Sequence, residues 1–270
     1  MGDRRAVLLM LLILCSALVA FPNVGMVNAE ETIYIKSDGS IEGTELLQRN
    51  NNTYTFLGDI SGNIVVSKDF ITIDGSGYAL KGKGSDSQTG INLSSGKNVT
   101  VTNLVIMDYF IGISLNSGQA GTTTNITILN NYIRDCDIGI EFLGSPNNLI
   151  KYNTFKKNSI DIAINYVSGD NLITHNNLDS YVQVWLSDQP TIDMNYWTDY
   201  NGTDSDGDGI GDTPYFYHDI LQDSHPLTEP LPVIPEFPSW TPLLITLVAV
   251  VTLAIIYRQR LRKHDGERRG

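Results

Sequence analysis

Cysteine is nearly absent: the chain of 270 residues has two, and one of them, Cys15, lies inside an N-terminal apolar run. Leu14 precedes Cys15 where a lipoprotein site needs a small residue, so lipidation is not expected there. With that run cleaved, Cys136 stands alone, which excludes an intrachain disulfide, and it reads as a small buried hydrophobe. Histidine is scarce too. Positive charge is in deficit, with 18 Lys and Arg against 30 Asp and Glu and a net charge of −12. Between Glu30 and Ser239 the net charge is −17, and the segment after it is +4. A body this acidic disfavours nucleic acid and anionic membrane surfaces and favours cations. Between the two ends there is also no ten-residue run at helical spacing, which excludes a helical bundle.

What the chain has instead is a repeat. Asn98-Val-Thr-Val-Thr-Asn103-Leu-Val105 is followed by Asn125-Ile-Thr-Ile-Leu-Asn130-Asn-Tyr132, then Asn148-Leu-Ile-Lys-Tyr-Asn153-Thr-Phe155 and Asn171-Leu-Ile-Thr-His-Asn176-Asn-Leu178. A second apolar pair closes each unit: Ile111 and Ile113, Ile138 and Ile140, Ile162 and Ile164, Val182 and Val184. Apolar residues alternate with polar or small ones, the period of a half-buried strand. A unit of about two dozen residues cannot bury its own inner face and has to stack on a neighbour. The pattern predicts an all-β chain, a single-stranded right-handed parallel β-helix. Asn103, Asn130, Asn153 and Asn176, with Asp74 in an earlier coil, are expected to form one internal ladder that satisfies backbone groups at a turn.

The ends carry targeting signals. Residues 1–29 read as a signal peptide, with Arg4 and Arg5 before the apolar run and Val27-Asn-Ala29 as the cleavage site. Residues 30–195 form the β-helix with its N-terminal cap, and 196–230 a C-terminal cap with an acidic loop. Residues 231–239 are a Pro-rich linker. Residues 240–257 are long enough for a short transmembrane helix, flanked by Trp240 and Tyr257. The basic tail at 258–270 places that end in the cytoplasm and the β-helix outside, anchored at the cell surface. Asn51, Asn92, Asn98, Asn125 and Asn201 are sequons that could carry glycans there. Glycine-rich or polar excursions at 81–90 and 117–124 interrupt the coils on one side, where function is expected to sit.

The Tyr54-Thr-Phe-Leu-Gly-Asp-Ile60 run, Ile71-Thr-Ile-Asp-Gly-Ser-Gly-Tyr78, the Asn repeat and Asn195-Tyr-Trp-Thr-Asp-Tyr200 together resemble the NosD-type parallel β-helix proteins, above all archaeal surface members, over roughly residues 34–227. The resemblance implies maturation of a copper site as one role, and carbohydrate binding or cleavage in related folds. Pro235-Glu-Phe237 before the apolar span resembles a PEF-type sorting signal, which implies a sorting enzyme as a partner.

Asp204-Ser-Asp206-Gly-Asp208-Gly-Ile210-Gly-Asp212 is the strongest local motif. Carboxylates at places 1, 3, 5 and 9, a Gly at 6 and the carbonyl of Ile210 match the first part of a calcium loop. Tyr215 stands where an EF-hand has its bidentate Glu, so the loop more resembles thrombospondin or dockerin loops, with Asp199, Asp219 or Asp223 as further ligands. Structural calcium pinning the C-terminal cap is the expected cofactor. Copper, the runner-up, would have to draw on His175, His218, His225, Met107, Met194 and Cys136. For lyase, hydrolase or epimerase chemistry on acidic glycans the candidates are Arg134, Asp135, Asp137, Lys157 and Asp161. Aligning the repeats puts Asp108 over Asp135 and Arg134 over Lys157, yet all are ordinary turn residues. Trp185, Tyr166 and Tyr181 could stack on sugars. A structural or glycan-binding role is therefore expected ahead of catalysis.

Overall fold

The computed structural model describes residues 32–84, 89–94, 96–117, 123–165, 169–185, 190–217, 221–233 and 250. The expected signal peptide, the PEF motif, the basic tail and, but for Val250, the transmembrane segment lie outside these residues. Among the described residues no helix is long and apolar enough to cross a membrane. The chain divides into two units, Met1–Val233 and Ile234–Gly270; the β-helix is in the first.

Successive short strands fall in turn on three sheets. Val99–Thr102 lies in the second sheet, Val105–Met107 in the third and Ile111–Asn116 in the first, before Thr127–Leu129 returns to the second. Each strand pairs in parallel with its counterpart one coil away, as with Val101 opposite Ile128 and Ile113 opposite Ile140. Alternation explains the core. In the first sheet Ile33, Ile64, Ile91, Ile113, Ile140, Ile162 and Val182 share one register and all are buried. In the second, Tyr54, Ile73, Val101, Ile128, Ile150, Ile173 and Ile192 do the same. β-branched side chains are stiff and fit such columns, and burying each is worth roughly 1.5–3 kcal/mol. The N-terminal end is closed by two antiparallel pairings, Thr32–Ile35 with Ile41–Glu42 and Leu47–Asn50 with Thr53–Phe56.

The corners repeat as strictly as the strands. Where the first sheet passes to the second, Phe70, Asn98, Asn125, Asn147 and Asp170 all have positive φ. The next corner uses Asn103, Asn130, Tyr152, His175 and Met194, and the third uses Asp108, Asp135 and Lys157. A left-handed residue turns the chain sharply, and Asn or Asp tolerates it best among residues with a Cβ.

An inward-facing residue follows each of these. At the second corner Asn131, Asn153, Asn176 and Asn195 are buried, and the side-chain carbonyl of Asn153 accepts the N–H of Asn131 at 2.9 Å while its amide donates to Ile128 O at 2.8 Å. Asn176 and Asn195 repeat both bonds on the coils below. The expected single ladder is therefore two. Asn103 and Asn130 sit one place earlier on a half-buried outer row, where Asn103 donates to Asp74 at 3.1 Å and Asn130 to Asn103 at 2.7 Å. The cause is the Asn130-Asn131 and Asn147-Asn148 doublets. Asn125 stands opposite Asn147, not Asn148, because Thr127 pairs with Leu149.

Candidate functional site

The C-terminal end of the stack carries the candidate sites, and one carboxylate organises it. Asp223 is buried on the short antiparallel pair Tyr215–Tyr217 and Leu221–Asp223. It accepts the N–H groups of Met194 and Asn195 at 2.9 Å each, the Asn195 amide at 3.2 Å and the Trp197 indole N–H at 3.0 Å. It thus ends the amide ladder. This occupation removes Asp223 from the set of expected calcium ligands. Trp197, stacked on Tyr215 at 4.3 Å between ring centres, closes the core beneath the last coil.

The acidic loop leaves this cap and returns to it. Asp204, Asp206 and Asp208 each bring one carboxylate oxygen within 4.8 Å of the others. Gly207 and Gly209 have φ of 76° and 88°, so the chain can wrap, and Asp204 accepts the N–H groups of Gly207 and Gly209 at 2.8 and 2.9 Å. Ile210 N–H donates to Asp208 at 2.8 Å, and Ile210 bridges to Leu227. Asp212 stands apart from the three. It accepts from Ser205 and Thr203, and these bonds, the Ser205 hydroxyl first, hold its carboxyl below the usual range. Asp199 accepts the Tyr215 hydroxyl on both oxygens, at 3.0 and 3.1 Å. Asp219 lies outside the described residues. A hard divalent cation needs clustered oxygens, and the trio supplies three.

A groove of about 250 Å³ follows the last strand of the first sheet, Val182–Trp185, and is lined also by Tyr181, Tyr217 and Leu221. That strand pairs with Ile160–Asn165 on one side and, among the described residues, ends the sheet on the other. Val182 points into the core, so Tyr181, Gln183 and Trp185 face outward. Trp185 is 64 % exposed, and Tyr181 stacks on Tyr217 with centres 5.5 Å apart and planes 3° apart. Tyr166 lies outside the described residues.

These sheets and corners agree with one comparison. Residues 83–183 match the family model for the right handed beta helix region. No curated protein matches the chain. The β-helix, with the right-handed winding that the family description states, is thus supported independently of its geometry, and neither observation carries an activity.

Of the proposed catalytic residues, Arg134, Asp135 and Lys157 share the third corner of adjacent coils, whereas Asp161 is buried. Arg134 is paired with its neighbour Asp135. Asp108 does lie over Asp135, as expected, but Arg134 lies over Lys156 rather than Lys157, the same one-residue slip that split the ladder. Lys156 pairs with Asp179 at 2.5 Å, and Lys157 turns the corner with its N–H on Asp179 at 3.0 Å. Asp137 gives its N–H to Tyr109 O at 3.0 Å. Asp161 is fully buried: it accepts from Asn158 at 3.1 Å and from the N–H groups of Asp179 and Ser180 at 2.8 and 2.7 Å. Burial pushes its carboxyl up to about 6 despite those bonds. It serves a corner and cannot reach a substrate.

The copper candidates are scattered. Cys136 is buried, its thiol pushed up to about 12 by desolvation. His175 occupies a corner against Thr174 and Tyr152, and His225 bonds Asp193 at 2.8 Å. His218 lies outside the described residues. Among the described residues, Asp204, Asp206 and Asp208 form the only trio of His, Cys, Asp or Glu that could share an ion.

Sequence reasoning missed the ladder places of Asn131 and Asn195, the capping role of Asp223, which it had taken for a calcium ligand, and the groove residues Tyr217 and Leu221. The first two had a signal: Asn131-Tyr-Ile, Asn153-Thr-Phe, Asn176-Asn-Leu and Asn195-Tyr-Trp share an Asn two places before a core residue. The last three come from a segment with no repeat.

Proposed function

We propose that this protein is a membrane-anchored cell-surface β-helix that binds a glycan at the aromatic groove. One observation carries the reading. Trp185, exposed on an edge strand within a groove and beside a stacked tyrosine pair, has no part in the core. A sugar ring offers an apolar C–H face to such rings while its hydroxyls stay wet. The N-terminal signal, the apolar span with its basic tail, and the likeness to NosD-type surface members support the compartment. The test is binding of the intact chain to a glycan array, beside Trp185→Ala. Loss of about tenfold in affinity with an unchanged melting temperature is expected. Equal binding by the variant would sink the reading, and release of reducing ends or unsaturated products would replace it with an enzyme.

A second reading concerns the loop. We infer that Asp204, Asp206 and Asp208, with the Ile210 carbonyl and a rearranged Asp212, take calcium and brace the C-terminal cap. The convergence of three carboxylates supports it, since like charges this close repel until a cation joins them. Calcium at a hundredfold excess over its Kd stabilises the folded form by about 2.7 kcal/mol. A rise in melting temperature on adding calcium, reversed by a chelator and absent in Asp206→Asn/Asp208→Asn, is expected; a flat titration up to millimolar calcium removes the claim.

A further inference from the structure

We infer that the groove takes a neutral oligosaccharide laid along the edge strand, and not an acidic one; the inference rests on the glycan-binding reading above. The geometry gives the length. Tyr181, Gln183 and Trp185 alternate onto one face, and four residues of strand separate the two aromatics by about 13 Å. That spacing suits a chain of sugars, with a ring on the indole at one end, a ring near the Tyr181–Tyr217 pair at the other, and the Gln183 amide between them. An amide donates and accepts, as hydroxyls do, and carries no charge.

Charge gives the class. Among the described residues that line the groove, none is cationic. In register behind Gln183 stand Ala163, Glu141, Ser114 and Asn92, of which Ala163 and Ser114 are buried, and behind Trp185 stand the half-buried Asn165, Leu143 and Asn116. No Lys or Arg stands in either row. Within the strands the lysines and arginines stand elsewhere, Lys81, Arg134 and Lys156 on the third sheet and Arg49 and Lys151 on the second; Lys36, just past the first strand, is paired with Glu42 at the N-terminal end. A polyuronate would approach a strongly acidic body and meet no counter-charge, whereas a neutral glycan loses nothing by that.

The experiment is affinity electrophoresis of the full chain through gels containing a neutral β-glucan, a neutral mannan or polygalacturonate, with sedimentation of the same samples. Retardation is expected in at least one neutral gel, insensitive to added salt, with the dissociation constant raised about tenfold by Trp185→Ala and measurably by Gln183→Ala. Retardation by polygalacturonate alone would overturn the inference and leave glycan binding standing. No retardation in any gel would overturn both. A dimer that depends on Trp185, without retardation, would assign the groove to a second copy of the chain and overturn both as well.

Discussion

At Phe70 the backbone takes φ 57° while the ring is 65 % exposed, a costly combination for an aromatic residue. Four residues in the same corner column (Asn98, Asn125, Asn147 and Asp170) show what the position prefers. A left-handed residue with an ordinary side chain costs roughly 1–2 kcal/mol, much of which Asn recovers through local hydrogen bonds. Nothing in the core holds Phe70 in exchange. Phe70→Asn is therefore expected to stabilise the β-helix by up to about 1 kcal/mol, read as a higher midpoint in denaturant at unchanged slope. A neutral or destabilising result would mean that the ring makes a contact of its own.

At the scale of a coil, the corners decide how much could be read in advance. Strands and core were legible because alternation of Ile and Val with Thr and Ser is a local signal that burial preserves: every expected apolar pair from Ile111 to Val184 lies in a first-sheet strand. The corners were legible in kind but not in register. One corner needs a left-handed residue and then an inward amide, and asparagine serves both, so Asn130-Asn131 and Asn147-Asn148 can be aligned two ways. The slip of one residue then set Arg134 over Lys157 where the structure has Lys156. Asp161 shows the same chemistry in another form. At the third corner Asn158 caps the coil above, accepting Cys136 N–H at 3.0 Å, and for the next, shorter coil the Asp161 carboxylate accepts two N–H groups instead. Its carboxyl titrates near 6 in the fold and near 3.8 when unfolded. Between those values the folded chain holds a proton that the unfolded chain has released, so stability is highest below about pH 4 for this group and falls as pH rises to 6. The loss is about 3 kcal/mol by linkage, complete by pH 7. Asp161→Asn still offers an acceptor to the two N–H groups, and its stability is expected to lack that fall between pH 4 and 6. An unchanged slope in urea titrations across the window would show that Asp161 stays ionised.

For the molecule as a whole, a stack of coils is stable in proportion to how well its ends are closed, because each coil leans only on its neighbours. Asp223 closes one end. It comes from a hairpin about thirty residues past the last ladder amide, which no repeat announces, and it joins the ladder to the cap that bears both the acidic loop and part of the groove. Replacing it with Ala leaves the N–H groups of Met194 and Asn195 and the Trp197 indole without their acceptor. Each buried donor so orphaned costs about 1–3 kcal/mol. In a globule with one cooperative core that cost would be shared everywhere. In this β-helix it should fall on the end coil, opening Thr191–Asp193 and Tyr196–Trp197 while Asn63–Val66 and Thr89–Asn92 stay closed. Amide exchange of Asp223→Ala is therefore expected to lose protection in the last coil and keep it in the first ones. The groove should lose Tyr217 and Leu221 with it, so glycan affinity falls together with end-coil protection. Uniform loss of protection from Ile64 to Ile192 would instead mean that the stack opens as one unit and that Asp223 is not an end cap but a part of a single core.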